Sequence, residues 1–228
     1  MSDMEPAKEP QWDFSRSVEL LVPAALPYSL DDEEYLGFLK SHFSYVAQLC
    51  LPPSVRNGDE TLRWKDIAEE LGNDFTLGVS FWSAIGVDDE QSIETLTDRF
   101  SEPYYGMLDL AQWWPLRQVF GLPEAGICYA DYLMYGNDGA GPIPREESLV
   151  RISERGFRYF SGRCVGETSE EIFFPDSGAT ACWVTGEWFV AVDVDLSRGT
   201  ICFNSPEYLE KLVEDGSLEF YLLQSPSL

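Results

Sequence analysis

The chain has 228 residues, 44% apolar and 14% aromatic, enough to fill a real core and too apolar for a disordered chain. Forty acidic residues against fifteen basic ones leave a net charge of −25. That balance excludes nucleic acid and anionic membrane as natural direct partners; it either serves solubility or attracts a cationic partner.

The first 14 residues read as a solvated tail. Residues 15–228 read as one α+β domain, helical over 15–136, with an antiparallel sheet and a C-terminal helix over 145–228. In "SLDDEEYLGFLKSHFSYVAQLC", Tyr35, Leu36, Leu39, Phe43, Val46 and Cys50 recur at three- and four-residue spacing. This predicts one amphipathic helix, opened by Ser29 with Asp32 three residues on, and stopped by Pro52-Pro53. Asp31, Asp32, Glu33 and Glu34 fall in its first turn, where the helix dipole favours negative charge.

"ETLRWKDIAEELG" predicts a second helix ended by Gly72. "FTLGVSFW" predicts a strand. Asp88, Asp89 and Glu90 head a third helix that carries Ile93, Leu96 and Phe100. "MLDLAQWWPLRQVF" and "PEAGICYADYLMYG" predict two more helices.

After "GNDGAGPIP" come six short β-branched or aromatic runs at regular spacing, the pattern of an antiparallel meander packed against the helical part. Ser205, Pro206 and Gly216 then mark the cap, first turn and end of a final helix.

"DVDLSRGT" (193–200) has the alternate acidic spacing that opens a calcium loop. The twelfth position of such a loop needs a bidentate Glu, and residue 204 is Asn. Alternation instead predicts a hairpin: Trp188, Val190, Val192, Val194 and Leu196 face the core, Asp193 and Asp195 face water, and "SRG" turns the chain. No metal site is expected.

Five scattered cysteines in apolar company read as reduced core thiols, and neither a signal peptide nor a membrane-spanning run is evident, which predicts a cytoplasmic protein. His42 is the single histidine, with no histidine pair for zinc, no nucleophile elbow and no phosphate-binding loop. No catalytic residue and no cofactor is expected on these grounds. Asp176-Ser177-Gly178-Ala179-Thr180 resembles the D-[ST]-G-[AS] turn of aspartic proteases, but a single copy would need a second chain to supply the other carboxylate. A carboxylate-using hydrolase around Asp176 is therefore one alternative. Between Arg145 and Arg163, five arginines interleave with aromatic residues; glutamates in the same stretch offer partners within the protein. Trp113 and Trp114 can either anchor a partner or share themselves between core and surface.

From about residue 120 to 216, "ADYLMYGNDGAG", the short strands and "WFVAVDVDLSRGTICFNSPEYLEKLVEDG" resemble the SUKH superfamily. Its members place a helix and a Gly/Asn-rich loop before an antiparallel sheet, and finish with a strand pair, a polar cap and a helix. Asn204-Ser205 and Tyr208-Leu209-x-x-Leu212 occupy those last positions. The resemblance implies a non-enzymatic immunity protein that neutralises a toxin, often a nuclease or deaminase. A basic toxin domain would suit the acidity, with Asp31–Glu34, Asp88–Glu90, Trp113 and Trp114 as candidate contacts. A DNA-mimic inhibitor of a DNA-binding protein is the other alternative, without direct binding of nucleic acid or membrane by the chain itself.

Overall fold

The computed structural model describes residues 28–55, 62–77, 80–103, 110–121, 127–135, 148–153, 156–164, 180–184, 186–193 and 196–226, with backbone alone for 54–55, 110–114, 127–135, 148–153 and 156–164. The chain is α+β. Its elements are α1 (Glu33–His42), β1 (Tyr45–Cys50), β2 (Ser54–Val55), α2 (Trp64–Leu71), α3 (Phe81–Ala84), α4 (Glu90–Leu96), β3 (Phe100–Ser101), α5 (Leu110–Phe120), β4 (Ile127–Tyr135), β5 (Ser148–Ser153), β6 (Gly156–Cys164), β7 (Ala181–Val184), β8 (Trp188–Val192), β9 (Arg198–Phe203), α6 (Pro206–Asp215) and β10 (Glu219–Gln224). Among the described residues no helix is long and apolar enough to cross a membrane.

Eight strands form one antiparallel sheet in the order β10-β1-β9-β8-β7-β4-β6-β5; β2 and β3 pair separately. β5-β6 and β7-β8-β9 pair in chain order, as expected of a meander. β4 inserts between β6 and β7, and β1 inserts between β9 and β10, so the N-terminal part builds the sheet as well as covering it. The division into a helical 15–136 and a sheet beyond it is therefore corrected: β1, β2, β3 and β4 all lie before residue 136.

The predicted helix from Ser29 to Cys50 is two elements. Its N-cap is Asp32, whose carboxylate accepts from the Tyr35 amide at 2.8 Å, and Ser29 lies before it. The helix ends at Phe43, which is already extended, and Tyr45–Cys50 becomes a strand paired on both sides. Val46 to Cys50 are all buried, so this strand lacks alternation, and its apolar run matched helical spacing by coincidence. In "PEAGICYADYLMYG", Ile127–Tyr135 is corrected from helix to strand, β4, which pairs with β6 on one side and β7 on the other. "FTLGVSFW" is not a strand: Thr76 and Leu77 lie outside any element and Phe81–Ala84 is a short helix. Phe100 belongs to β3 and not to the preceding helix.

Each face of the sheet carries its own core. α1 places Tyr35 and Leu39 against Val46, Trp183, Phe189 and Cys202 on one face. α5 and α6 place Leu116, Phe120 and Leu212 against Leu49, Trp188, Val190, Ile201 and Phe203 on the other. The alternation along β8 thus sorts residues between two dry faces. The expected wet face is absent: Asp193 is buried with 2% exposure, while Asp195 lies outside the described residues. "SRG" is not the turn either, because Arg198 and Gly199 open β9. At Gly199 an added Cβ would stand 2.5 Å from the backbone oxygen of Ala191, so only glycine allows β8 and β9 this approach.

A third cluster forms a small helical lobe beside the β1–β10 edge, with Trp64, Ile67, Phe81, Val87 and Phe100 packed beneath Cys50 and Tyr221. α2 has no cap of its own, because Arg63 makes no side-chain cap bond. Glu219 at the start of β10 supplies one, accepting from the amides of Trp64 at 2.6 Å and Lys65 at 3.1 Å. In return, Arg63 donates to the Gly216 carbonyl at 2.5 Å. Glu219→Ala is expected to cost about 1–2 kcal/mol in urea denaturation, the usual range for a lost N-cap, with Glu219→Gln losing less. An unchanged midpoint would mean that water caps α2 equally well.

Candidate protein-binding surface

The structure separates the sequence-predicted acidic residues by what each carboxylate already does. Asp31 is 62% exposed, yet its Oδ2 lies 2.7 Å from Nη2 of the fully buried Arg198. Asp32 caps α1. Glu33 and Glu34 occupy the first turn and face solvent. This turn is part of the helix packed on the α1 face of the sheet, whereas Asp88, Asp89 and Glu90 belong to the lobe, which has a different core cluster.

In the lobe, Asp88 accepts from the Ser83 hydroxyl at 2.6 Å, and Asp89 caps α4 by accepting from the Ser92 amide at 2.8 Å. The Ser92 hydroxyl and then its amide hold the Asp89 carboxyl below the usual carboxylate range. Glu90 and Glu94 are exposed on α4. α2 adds Asp66, Glu69 and Glu70, with Asp74 beyond its end, all exposed. Sequence reading passed over these α2 carboxylates. Their signal was legible, since they sit opposite the buried Trp64, Ile67 and Ala68 on one solvated helix face.

Among the described residues, Lys65, 3.8 Å from Glu69, and Arg99, 2.7 Å from Glu70, form ion pairs with this charge. Both pairs are exposed, so each adds little stability, roughly 0–1 kcal/mol, and leaves the lobe's excess negative charge in place. Between the end of α2 and α4 lies an open cleft of about 580 Å³, with Leu71, Val87 and Leu96 as its apolar part and Asn73, Asp89 and Gln91 among its polar groups. Asn73 shapes it by donating to the carbonyls of Ile85 and Gly86, each at 3.0 Å. A cleft with apolar side chains on its wall and the Asp89 carboxylate at its rim suits the aliphatic stem and charged head of a Lys or Arg.

Trp113 and Trp114 lie in α5, immediately before Pro115; their side chains are outside the described residues. Asp176 and the Gly/Asn-rich "GNDGAG" also lie outside them. His42 is exposed, stacks on Phe38 at 4.0 Å, and places Nδ1 2.9 Å from the Phe38 carbonyl and the Ser41 hydroxyl. Cys50, Cys182 and Cys202 are buried thiols that form no disulfide among the described residues. Burial raises the Cys50 thiol far above its ordinary value, assisted by Glu219, and burial alone raises Cys202. Among the described residues no group of His, Cys, Asp and Glu is arranged to hold a metal ion.

Of the features implied by the SUKH resemblance, the β8–β9 pair and the Ser205-capped helix are present, while "ADYLMYG" forms a strand in place of a helix. Comparison with known families, with curated proteins and with solved structures found no match to this chain.

Proposed function

We propose that the protein is a non-enzymatic, cytoplasmic immunity protein of the SUKH kind, which neutralises a cationic toxin domain, a nuclease or deaminase, by direct binding. The observation that carries this reading is the lobe formed by α2 to α4. It carries exposed carboxylates on α2 and α4 and a cleft that combines Leu71, Val87 and Leu96 with Asp89, in a chain of net charge −25. Complementary fields of this kind speed encounter with a basic enzyme and oppose approach of its nucleic-acid substrate.

The test is capture of a partner on tagged protein, eluted in salt steps, followed by binding kinetics with Asp89→Asn/Glu90→Gln/Glu94→Gln. Asparagine preserves the α4 cap, so the triple variant removes charge and not the helix. One stoichiometric basic partner held into high salt, bound on the order of tenfold more slowly by the triple variant, is the expected result. Retention of no basic partner, or a triple variant with unchanged association rate, would reject the lobe as the contact.

A further inference from the structure

One edge of the large sheet differs from the rest of the surface. β10 ends the strand order and is hydrogen-bonded to β1 alone, so among the described residues no strand lies along its outer side. An edge of this kind presents a row of backbone donors and acceptors, and natural sheets usually blunt it with charge. Here the opposite holds: in a chain that is 24% charged, Phe220 to Leu228 carry no charge. Among the described residues, two large apolar side chains stand exposed, and one of them is on this strand. Leu222, 40% exposed, is in β10, and Val213, 66% exposed, is in the helix leading into it.

We infer that β10 pairs with β10 of a second copy, antiparallel about a two-fold axis normal to the sheet. Charge selects this occupant. A basic partner is drawn to the carboxylate-rich helices, whereas an uncharged strip on a chain of net charge −25 is where two copies meet with least repulsion. Such a contact is isologous, each copy offering the same patch.

Side-chain alternation sets the register. Opposed residues in an antiparallel pair share a face, so Leu222 on the axis meets its own copy. β10 carries one extra residue, Leu223, between the Ala47↔Leu222 and Val46↔Gln224 pairs, so its regular alternation ends at Leu222.

Sedimentation equilibrium of the full chain up to high micromolar protein tests the inference. A reversible monomer–dimer equilibrium is expected, and it strengthens severalfold between about 0.05 M and about 0.5 M salt as like-charge repulsion is screened. Salt has the opposite effect on binding of a cationic partner. Leu222→Lys and Leu222→Glu, each checked for an unchanged circular dichroism spectrum, both weaken the dimer on the order of tenfold or more, because either charge meets itself across the axis. If net charge alone mattered, the two signs would act in opposite directions. A monomer at every salt concentration, slow amide exchange along β10 in that monomer, or a dimer indifferent to both variants overturns the inference.

Discussion

Arg198→Met is expected to lower the free energy of unfolding by about 3–5 kcal/mol, measured by urea denaturation at neutral pH. The guanidinium is fully buried, with Nε 3.8 Å from the Asp193 carboxylate and Nη2 2.7 Å from Asp31. The two strands are joined here as well, since the Asp193 amide donates to the Arg198 carbonyl at 2.8 Å. Removing the cation leaves the Asp193 charge in a dry interior, which costs more than the ion pair itself contributes. Asp193→Leu combined with Arg198→Met is therefore expected to recover most of the loss, because neither charge then remains inside. Asp31→Asn should cost less than about 1 kcal/mol, since its carboxylate is mainly solvated. An Arg198→Met chain within about 0.5 kcal/mol of wild type would show that the buried charge is relieved in some other way.

Trp64→Ala is the second large effect, expected at about 3–5 kcal/mol. The indole is buried, packs edge-on against Phe81 at 5.2 Å, and donates to the Leu51 carbonyl at 2.7 Å. Truncation removes a large apolar surface, leaves a cavity under the lobe and withdraws the Leu51 carbonyl's indole donor. Because Trp64 joins the lobe to the end of β1, the damage should be local. Hydrogen exchange is expected to rise across α2 to α4 while β8 and β9 remain protected. A uniform rise across the sheet would instead mean that lobe and sheet unfold as one unit. If the lobe is the partner's contact, the same variant should also bind weakly, although its carboxylates are intact.

The acidic surface illustrates how much of the candidate site was legible before folding. Asp88, Asp89 and Glu90 were recognised as a helix head, and they are one. That Arg99, just beyond α4, reaches Glu70 of α2 was not, because the two lie 29 positions apart. Asp31 was read as an ordinary first-turn acid. Its ion pair is with a residue 167 positions later, a separation that no local pattern encodes.

The sequence by itself determined the local signals. Asp89, Ser205, Gly72 and Gly216 cap α4, α6 and the ends of α2 and α6, and "SLVRIS", "GFRYFSG", "ACWV" and "TICF" are strands. These depend on hydrogen bonds and φ values within a few residues. The tertiary structure alone decided that "YVAQLC" and "ICYADYLMY" are strands, that β10 closes one edge, and that Asp193 faces Arg198 inside the core. For the strands the deciding interactions come from distant chain, and β1, buried along its length, loses the alternation that would identify it. Asp193 and Arg198 are close in the chain, but the carboxylate is buried only because the cation is buried beside it.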